Sequence, residues 1–183
     1  MKPSGLSPEG AELFVYKQGL TQSQAVSVES AINRVLPKSY KDFLRRMNGL
    51  YFALPDYGEI SLAMVAGGVI SFDRFFGLSP DEQCNCLVCF NNQYIDELAF
   101  VGDVLAIGED GGGNPYVLIS TPGREGVYYW DRTHLHEPGL TRDVDIAEQN
   151  ECGDLFFISP GFEEFYNTLF SSAGVDVEFV LGR

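Results

Sequence analysis

An α+β fold is what the sequence predicts: a single domain in which a central, mainly antiparallel sheet packs against helices. Apolar side chains recur at helical spacing in two parts of the chain, one early and one near the end. Between those parts, short runs of β-prone residues follow one another, separated by glycine-rich turns. A length of 183 residues with 45% apolar side chains suits one domain with a substantial core.

The beginning of the chain predicts an extension followed by a helix. Residues 1–20 are punctuated by proline and glycine, and we expect an N-terminal extension there, with the domain spanning 21–183. Thr21 and Gln24 have the spacing of a capping box, and apolar residues then recur at helical intervals. The first helix is therefore expected to run from residue 21 to Pro37.

Pro37 is also expected to open a second, amphipathic helix over 37–50. Its apolar stripe has i, i+3, i+4, i+7 spacing and consists of Tyr40, Phe43, Leu44 and Met47. The basic residues Lys38, Lys41 and Arg45 share another face, which we interpret as the solvated side. Asn48 and Gly49 tolerate left-handed geometry, so they are expected to end this helix.

The remaining elements follow from shorter signals. A short surface helix is expected over 91–100, and three compact strands are expected over 103–109, 115–120 and 126–131. A last amphipathic helix is expected over 158–170, with acidic residues near its start that suit the helix dipole.

The segment EDGGGN at 109–114 raises the question of whether its glycines hold a ligand. A phosphate loop needs a lysine and a following helix, and this segment has neither. A calcium loop needs spaced oxygen ligands ending in an acid, and Glu109, Asp110 and Asn114 lack that distal acid, which leaves open only a weak cation site. A hairpin turn is the simplest interpretation, with Gly112 and Gly113 supplying positive φ.

Charge is the strongest compositional signal for function. The chain has 12 basic and 26 acidic residues and a formal net charge of −14, which argues against nucleic acid as a partner. Two long segments, 75–123 and 143–182, contain carboxylates but neither lysine nor arginine. Such a surface steers basic partners toward it. Within these segments we expect contact residues in the surface helix and the hairpin turn, namely Asp96, Glu97, Glu109 and Asp110.

The location of the protein is predicted from two missing signals. The first 20 residues contain no apolar run long enough for a signal peptide. No window approaches the roughly 20 apolar residues of a membrane span. We therefore expect a cytoplasmic protein that does not bind membranes.

The cysteines are considered as metal ligands and as nucleophiles. Cys84, Cys86 and Cys89 are clustered, Cys152 is distant, and His134 and His136 lie between them. This spacing is not that of a common zinc finger, so we expect no metal and free, partly buried thiols. A Cys–His hydrolase oriented by Asp131 would need these groups to meet, and the sequence gives no sign that they do.

Tyr128, Tyr129 and Trp130 stand next to each other in the third predicted strand. Successive side chains in a strand point to opposite faces, so at least one of these aromatics faces the core. An interface platform is one interpretation of them, and for Trp130 we expect a core position.

The order of these motifs resembles the SUKH superfamily, which includes fungal Smi/Knr cell-wall regulators and many bacterial immunity proteins. The resemblance covers about Ile32 to Phe170, most of the chain. Its marks are Leu36, Pro37, Tyr40, Phe43, Leu44, Asn48, Gly49, Gly108, Asp110, Gly112, Gly113, Asn114, Val127, Tyr128 and Trp130.

The resemblance implies a binding protein with no known catalytic apparatus, and we expect no cofactor. In bacteria it implies neutralisation of a cognate toxin domain of a polymorphic or contact-dependent system, and a basic nuclease is one such toxin. The alternative is an intracellular scaffold or regulatory module of the Smi/Knr type with a housekeeping partner. The extension, the cysteine cluster and an insertion at 138–154 depart from the family pattern and leave the partner surface open.

Overall fold

The computed structural model describes residues 14–52, 58–79, 86–136 and 144–172. The strands are β1 Phe14–Gln18, β2 Met47–Phe52, β3 Gly58–Ser61, β4 Val69–Phe72, β5 Arg74–Phe75, β6 Val104–Glu109, β7 Pro115–Ile119, β8 Gly126–Asp131 and β9 Asp154–Ser159. The helices are α1 Gln22–Ile32, α2 Lys38–Arg46, α3 Leu87–Tyr94 and α4 Phe162–Ser172, and a 3₁₀ turn, Ile95–Leu98, continues α3.

Seven strands form one sheet in the order β1-β2-β5-β6-β7-β8-β9, and every neighbouring pair is antiparallel. β3 and β4 form a separate antiparallel pair. The predicted α+β fold with a mainly antiparallel sheet is confirmed, as are the three compact strands, which are β6, β7 and β8.

The centre of the sheet is buried on both faces, since every residue of β7 and β8 is buried. On one face α2 and α4 contribute aromatic side chains. Phe162 of α4 has its ring centroid 5.0 Å from that of Tyr40 and 5.4 Å from that of Phe43, while Phe165 lies 5.2 Å from Tyr116 of β7. The Tyr40 hydroxyl donates to the Phe76 carbonyl at 2.7 Å, which fixes α2 against the chain after β5.

α3 packs beside β6, where the sheet is incomplete. β5 pairs only with Gly108 and Glu109, so the earlier part of β6 lacks a strand on that side. The side-chain amide of Asn91 replaces the missing strand at Ala106. It accepts from the Ala106 N–H and donates to the Ala106 carbonyl, both at 2.9 Å. Buried backbone groups need such partners, and a side chain of α3 provides them.

The first two helices both end earlier than predicted. α1 starts with the predicted capping box, in which Gln24 N donates to Thr21 Oγ1 at 3.2 Å, but it ends at Ile32 because Asn33 is left-handed. α2 ends at Arg46, and Asn48 and Gly49 lie inside β2 instead of ending a helix. Pairing of β2 with β1 and β5 outweighs the local helical pattern.

Asn48 and Gly49 have a tertiary role in β2. The Asn48 side chain accepts from Leu78 N at 2.6 Å and donates to Leu78 O at 3.0 Å. Gly49 has φ +80°, and a Cβ there would lie 3.0 Å from Gly77 N. Both residues therefore let β2 approach the chain that follows β5.

The last helix is shorter at its start than predicted, since α4 begins at Phe162. The predicted N-terminal extension contributes a strand, β1, which pairs with β2 at one edge of the sheet. Phe14 of β1 is 8% exposed, and its ring centroid lies 4.6 Å from that of Phe52 and 4.8 Å from that of Phe170.

Trp130 is fully buried, as predicted, and its Nε1 donates to the Cys152 carbonyl at 2.7 Å. Tyr128 and Tyr129 are buried as well. In the part of the chain that the structure describes, no helix combines the length and the apolar character that a membrane crossing requires.

Candidate functional site

One end of the sheet brings together several of the described loops that carry carboxylates. β6 and β8 finish there and β7 and β9 begin there. We call this the acidic end and define it by residues 95–98, 109–114, 131–136 and 144–154. Arg132 is the single lysine or arginine within these ranges. Their carboxylates are Asp96, Glu97, Glu109, Asp110, Asp131, Asp145, Glu148, Glu151 and Asp154.

The β6–β7 turn is held together by Asp110. Its Oδ1 accepts from Gly112 N at 2.7 Å and from Asn114 N at 3.0 Å. Its Oδ2 accepts from Asn114 Nδ2 and from the Tyr129 hydroxyl, both at 2.9 Å. The hairpin predicted for this segment is confirmed, and its carboxylate is already occupied by four donors from the protein itself.

Positive φ in this turn is needed at Gly111 (φ +79°) and Gly113 (φ +95°). The prediction of positive φ at Gly112 is wrong, because the Asp110 carboxylate receives the Gly112 N–H in a local turn and the two flanking glycines make the reversals.

A second turn, after β8, is joined to the first. Asn114 is fully buried, and its Oδ1 accepts from both the backbone N and the hydroxyl of Thr133 at 2.9 Å. The buried Asp131 carboxylate accepts from Leu135 N at 2.8 Å and from His136 N at 2.9 Å. The turn therefore has a fixed backbone, and it presents the Leu135 side chain with 63% of its surface exposed.

Arg132 connects this end of the sheet to the 3₁₀ turn. Its Nε and Nη2 donate to the two carboxylate oxygens of Glu97 at 2.9 and 2.7 Å. Its guanidinium carbon lies 4.4 Å from the ring centroid of Tyr94 and 5.7 Å from that of Trp130. The hydrogen bonds with Glu97 raise the pKa of Arg132 against the opposing effect of burial. The bidentate geometry fixes both side chains.

The loop before β9 completes the acidic end. His134 Nε2 lies 3.0 Å from Glu148 Oε2, which also accepts from Gly153 N at 2.9 Å. Hydrogen bonding from His134, and then from the Gly153 N–H, lowers the pKa of the Glu148 carboxyl. Three non-glycine residues here have positive φ: His134, Asn150 and Glu151.

The structure brings the four predicted contact residues to this one end but gives them different environments. Asp96 is exposed, and Glu97 is exposed while paired with Arg132. Glu109 is half-buried, with Oε1 3.3 Å from Arg74 Nε, and burial raises the pKa of its carboxyl. Asp110 is committed to the turn. Asp96 and Glu97 are thus the two of the four that a partner reaches most directly.

Sequence reasoning missed Leu135 and Glu151 as surface features of this end. Leu135 stands in a polar stretch, DRTHLH, where an aspartate followed by backbone donors is typical of a side-chain-capped turn. That pattern was the available signal. No local pattern in the sequence marks Glu151.

The surroundings of the described cysteines and of Asp131 disfavour nucleophilic catalysis. The Cys86 Sγ accepts from Cys89 N at 3.3 Å, and hydrogen bonding with Cys86 together with burial raises the pKa of Cys89 to about 11. Burial raises the pKa of Cys152. A protonated thiol is a poor nucleophile. Asp131 binds backbone N–H groups of the turn. Cys84 lies outside the described residues.

Within the described ranges, no group of three or more His, Cys, Asp or Glu side chains is placed to hold a metal ion. The weak cation site that the sequence left open at 109–114 would have to use a carboxylate, that of Asp110, which the four donors described above already engage.

The family follows from a comparison of the chain with models of known families. The model of the SMI1 / KNR4 family (SUKH-1) matches residues 19–168. The chain belongs to the SUKH-1 family. Among curated proteins, the comparison finds no match. The SUKH-1 match covers every element from α1 to β9 and most of α4, and it includes the whole acidic end.

Proposed function

We propose that this SUKH-1 protein is a non-enzymatic binding protein of the cytoplasm, and specifically an immunity protein that neutralises a cognate toxin domain by binding it directly. The observation that carries the proposal is the acidic end, where loops rich in carboxylates share one end of the sheet with Leu135, an exposed apolar side chain on a fixed turn. The family resemblance supports the same reading, since the SUKH superfamily includes many bacterial immunity proteins.

The charge of the acidic end favours a basic partner surface. A nuclease binds phosphates through lysine and arginine, so its active region is positively charged. Complementary charge accelerates encounter, and an immunity protein must capture its toxin before the toxin acts. A basic nuclease domain is therefore the partner we propose.

Leu135 supplies the second component of an interface. Interfaces combine a small desolvated centre with a polar rim, and the centre contributes most of the affinity. The backbone of Leu135 is held by Asp131, so little backbone entropy is lost when a partner covers the side chain. We propose Leu135 as the apolar anchor, Asp96 and Glu97 as rim contacts, and Glu109 and Asp110 as contributors to the local negative potential.

The charge arm of the test uses stopped flow to measure association with the cognate toxin domain, which the proposal expects a neighbouring gene to encode. The variant Asp96→Asn/Glu151→Gln removes two exposed carboxylates of the acidic end. The control Asp103→Asn/Glu125→Gln removes two exposed carboxylates that precede β6 and β8, at the opposite end of the sheet. We expect the first variant to associate about threefold more slowly or worse, and the control to associate like the wild type.

The anchor arm measures dissociation. Leu135→Ala should raise the dissociation rate about tenfold, because the desolvated centre of an interface controls dissociation. Val69→Ala is the matched control, since Val69 is an exposed aliphatic residue of β4. Rescue of cells that express the toxin domain tests the biological role.

A chain that neither binds the toxin domain nor rescues those cells contradicts the immunity proposal. In that case a housekeeping partner recovered through the same acidic end would identify a scaffold of the Smi/Knr type.

A further inference from the structure

A cleft lies between α2 and α4. It is separate from the acidic end, because no residue of the acidic end lines it. Its volume is about 420 Å³. This lies within the range of small-molecule sites, roughly 300–1,000 Å³. Phe43 and Phe162, both buried, provide its apolar wall. The cleft is therefore large enough and apolar enough for one substituted side chain or a small organic molecule.

Tyr166 is the unusual residue of this cleft. Its side chain is fully buried and lines the cleft, and within the described part of the chain its hydroxyl has no hydrogen-bond partner. Burial raises the pKa of this hydroxyl, so it stays protonated and is a donor at neutral pH. An unsatisfied buried hydroxyl is costly, and a ligand that offers an acceptor would remove the cost.

The charges on the rim specify which acceptor fits. Arg46 lines the cleft, and among the described residues it forms no ion pair. Lys38 lines it as well, paired with Asp42 at 2.6 Å, and Glu163 stands on the α4 side. Two cations offset by two carboxylates accept a singly charged anion and disfavour a doubly charged phosphate.

We propose that the cleft binds a carboxylate that carries an apolar group. The apolar group lies against Phe43 and Phe162, and the carboxylate receives hydrogen bonds from the Tyr166 hydroxyl and the Arg46 guanidinium. A polypeptide with an apolar C-terminal residue and a small apolar carboxylic acid both present this chemistry.

The test titrates the full chain with two pairs of probes and follows backbone amide shifts by NMR. The first pair is N-acetylphenylalanine and its amide, and the second is a pentapeptide of four alanines and a C-terminal phenylalanine, as free acid and as amide. We expect each free acid to bind with a dissociation constant below about 1 mM, and each amide to bind at least about tenfold more weakly. Inorganic phosphate should not compete.

Variants assign the binding to the cleft. Tyr166→Phe and Arg46→Gln should each weaken the free acids about tenfold, while Arg45→Gln, a matched change at an exposed position outside the cleft, should not. Tyr166→Phe should leave the melting temperature equal to that of the wild type or higher, since it removes an unsatisfied buried hydroxyl. A purely structural role for Tyr166 would lower it.

The relative affinity of the two free acids identifies the source of the ligand. Tighter binding of the pentapeptide supports a polypeptide C-terminus, and tighter binding of N-acetylphenylalanine supports a small acid. Equal binding of acids and amides, no binding up to about 10 mM, or equal losses from Arg45→Gln and Arg46→Gln would each overturn the proposal.

Discussion

Gly113 is one of the two glycines with positive φ in the β6–β7 turn. Its φ of +95° is in a region that β-branched residues avoid, and a Cβ there would meet Thr133 Cγ2 at an ordinary 3.5 Å. The cost of a substitution is therefore conformational. Gly113→Val should lower the free energy of unfolding by about 1–3 kcal/mol, measured by chemical denaturation.

Gly113→Asn is the matched control, since asparagine tolerates left-handed geometry far better than valine does. We expect it to keep most of the stability. Equal losses from the two substitutions would indicate that space, and not φ, limits this position.

Glu109 gives the protein a pH dependence at the same turn. Burial raises the pKa of its carboxyl above the ordinary value of 4.5, and Asp73 and Asp110 add to this while Arg74 opposes it. Because the pKa of Glu109 is higher in the folded state, protonation of its carboxyl favours folding. This contribution to the free energy of unfolding is fully present below pH 4.5 and is lost as pH rises through the pKa of the folded state. Arg74 retains Asp73 as a partner when Glu109 is changed.

Glu109→Gln should therefore melt at a higher temperature than the wild type at pH 7, and at nearly the same temperature at about pH 4. Thermal melts across this range measure the difference. A variant that melts lower at pH 7 would show that the Arg74 ion pair outweighs burial.

Among the elements, β1 links the predicted extension to the core. Phe14 packs against Phe52 and Phe170, whereas Val15, its neighbour in the strand, is 40% exposed on the other face. We propose that β1 unfolds together with the rest of the domain. Phe14→Ala should destabilise the protein by about 3 kcal/mol, the low end for a buried phenylalanine, because β1 is an edge strand.

Val15→Ala is the control for that experiment and should change the unfolding free energy by less than about 0.5 kcal/mol. Denaturant unfolding of both variants makes the comparison. A Phe14→Ala protein as stable as the wild type would mean that residues before 19 contribute little to folding.

The elements also show where sequence patterns are sufficient and where they are not. The β6–β7 hairpin and the burial of Trp130 follow from local turn chemistry and composition, which act over a few residues. The end of α2 cannot be predicted from local patterns. Residues 47–50 continue a helical pattern, but β1 and β5 provide strand partners that are distant in sequence. Local propensity is a small energy beside that pairing.

The candidate site divides in the same way. Carboxylate-rich segments and their turns are visible in the sequence, so Asp96 and Glu97 could be placed in a surface helix and Glu109 and Asp110 in a hairpin turn. The ion pairs and hydrogen bonds of these carboxylates could not be predicted, because the partners Arg132, Arg74 and Tyr129 come from other elements. The α2–α4 cleft is also a tertiary feature, and its unsatisfied Tyr166 hydroxyl has no local signature.

At the scale of the whole molecule, charge predicts the kinetics of association. Exposed charges are screened over about 8 Å at physiological salt, so association with a basic toxin domain should slow as salt rises. Dissociation should change much less, because it depends on the desolvated centre of the interface. Stopped-flow measurements at about 50 and 300 mM salt test this. An association rate indifferent to salt would mean that the carboxylates serve solubility.

The position of Arg132 near the rings of Tyr94 and Trp130 also gives the protein its own optical reporter. The chain contains one tryptophan, so all indole emission originates beside the Glu97–Arg132 pair. A cation beside an indole influences the wavelength and yield of its emission. A partner that competes for Glu97 should shift Arg132 and so change the fluorescence without any label. A ligand between α2 and α4 should not, because neither Trp130 nor Arg132 lines that cleft. One spectrum can therefore distinguish the two binding events in a single cuvette.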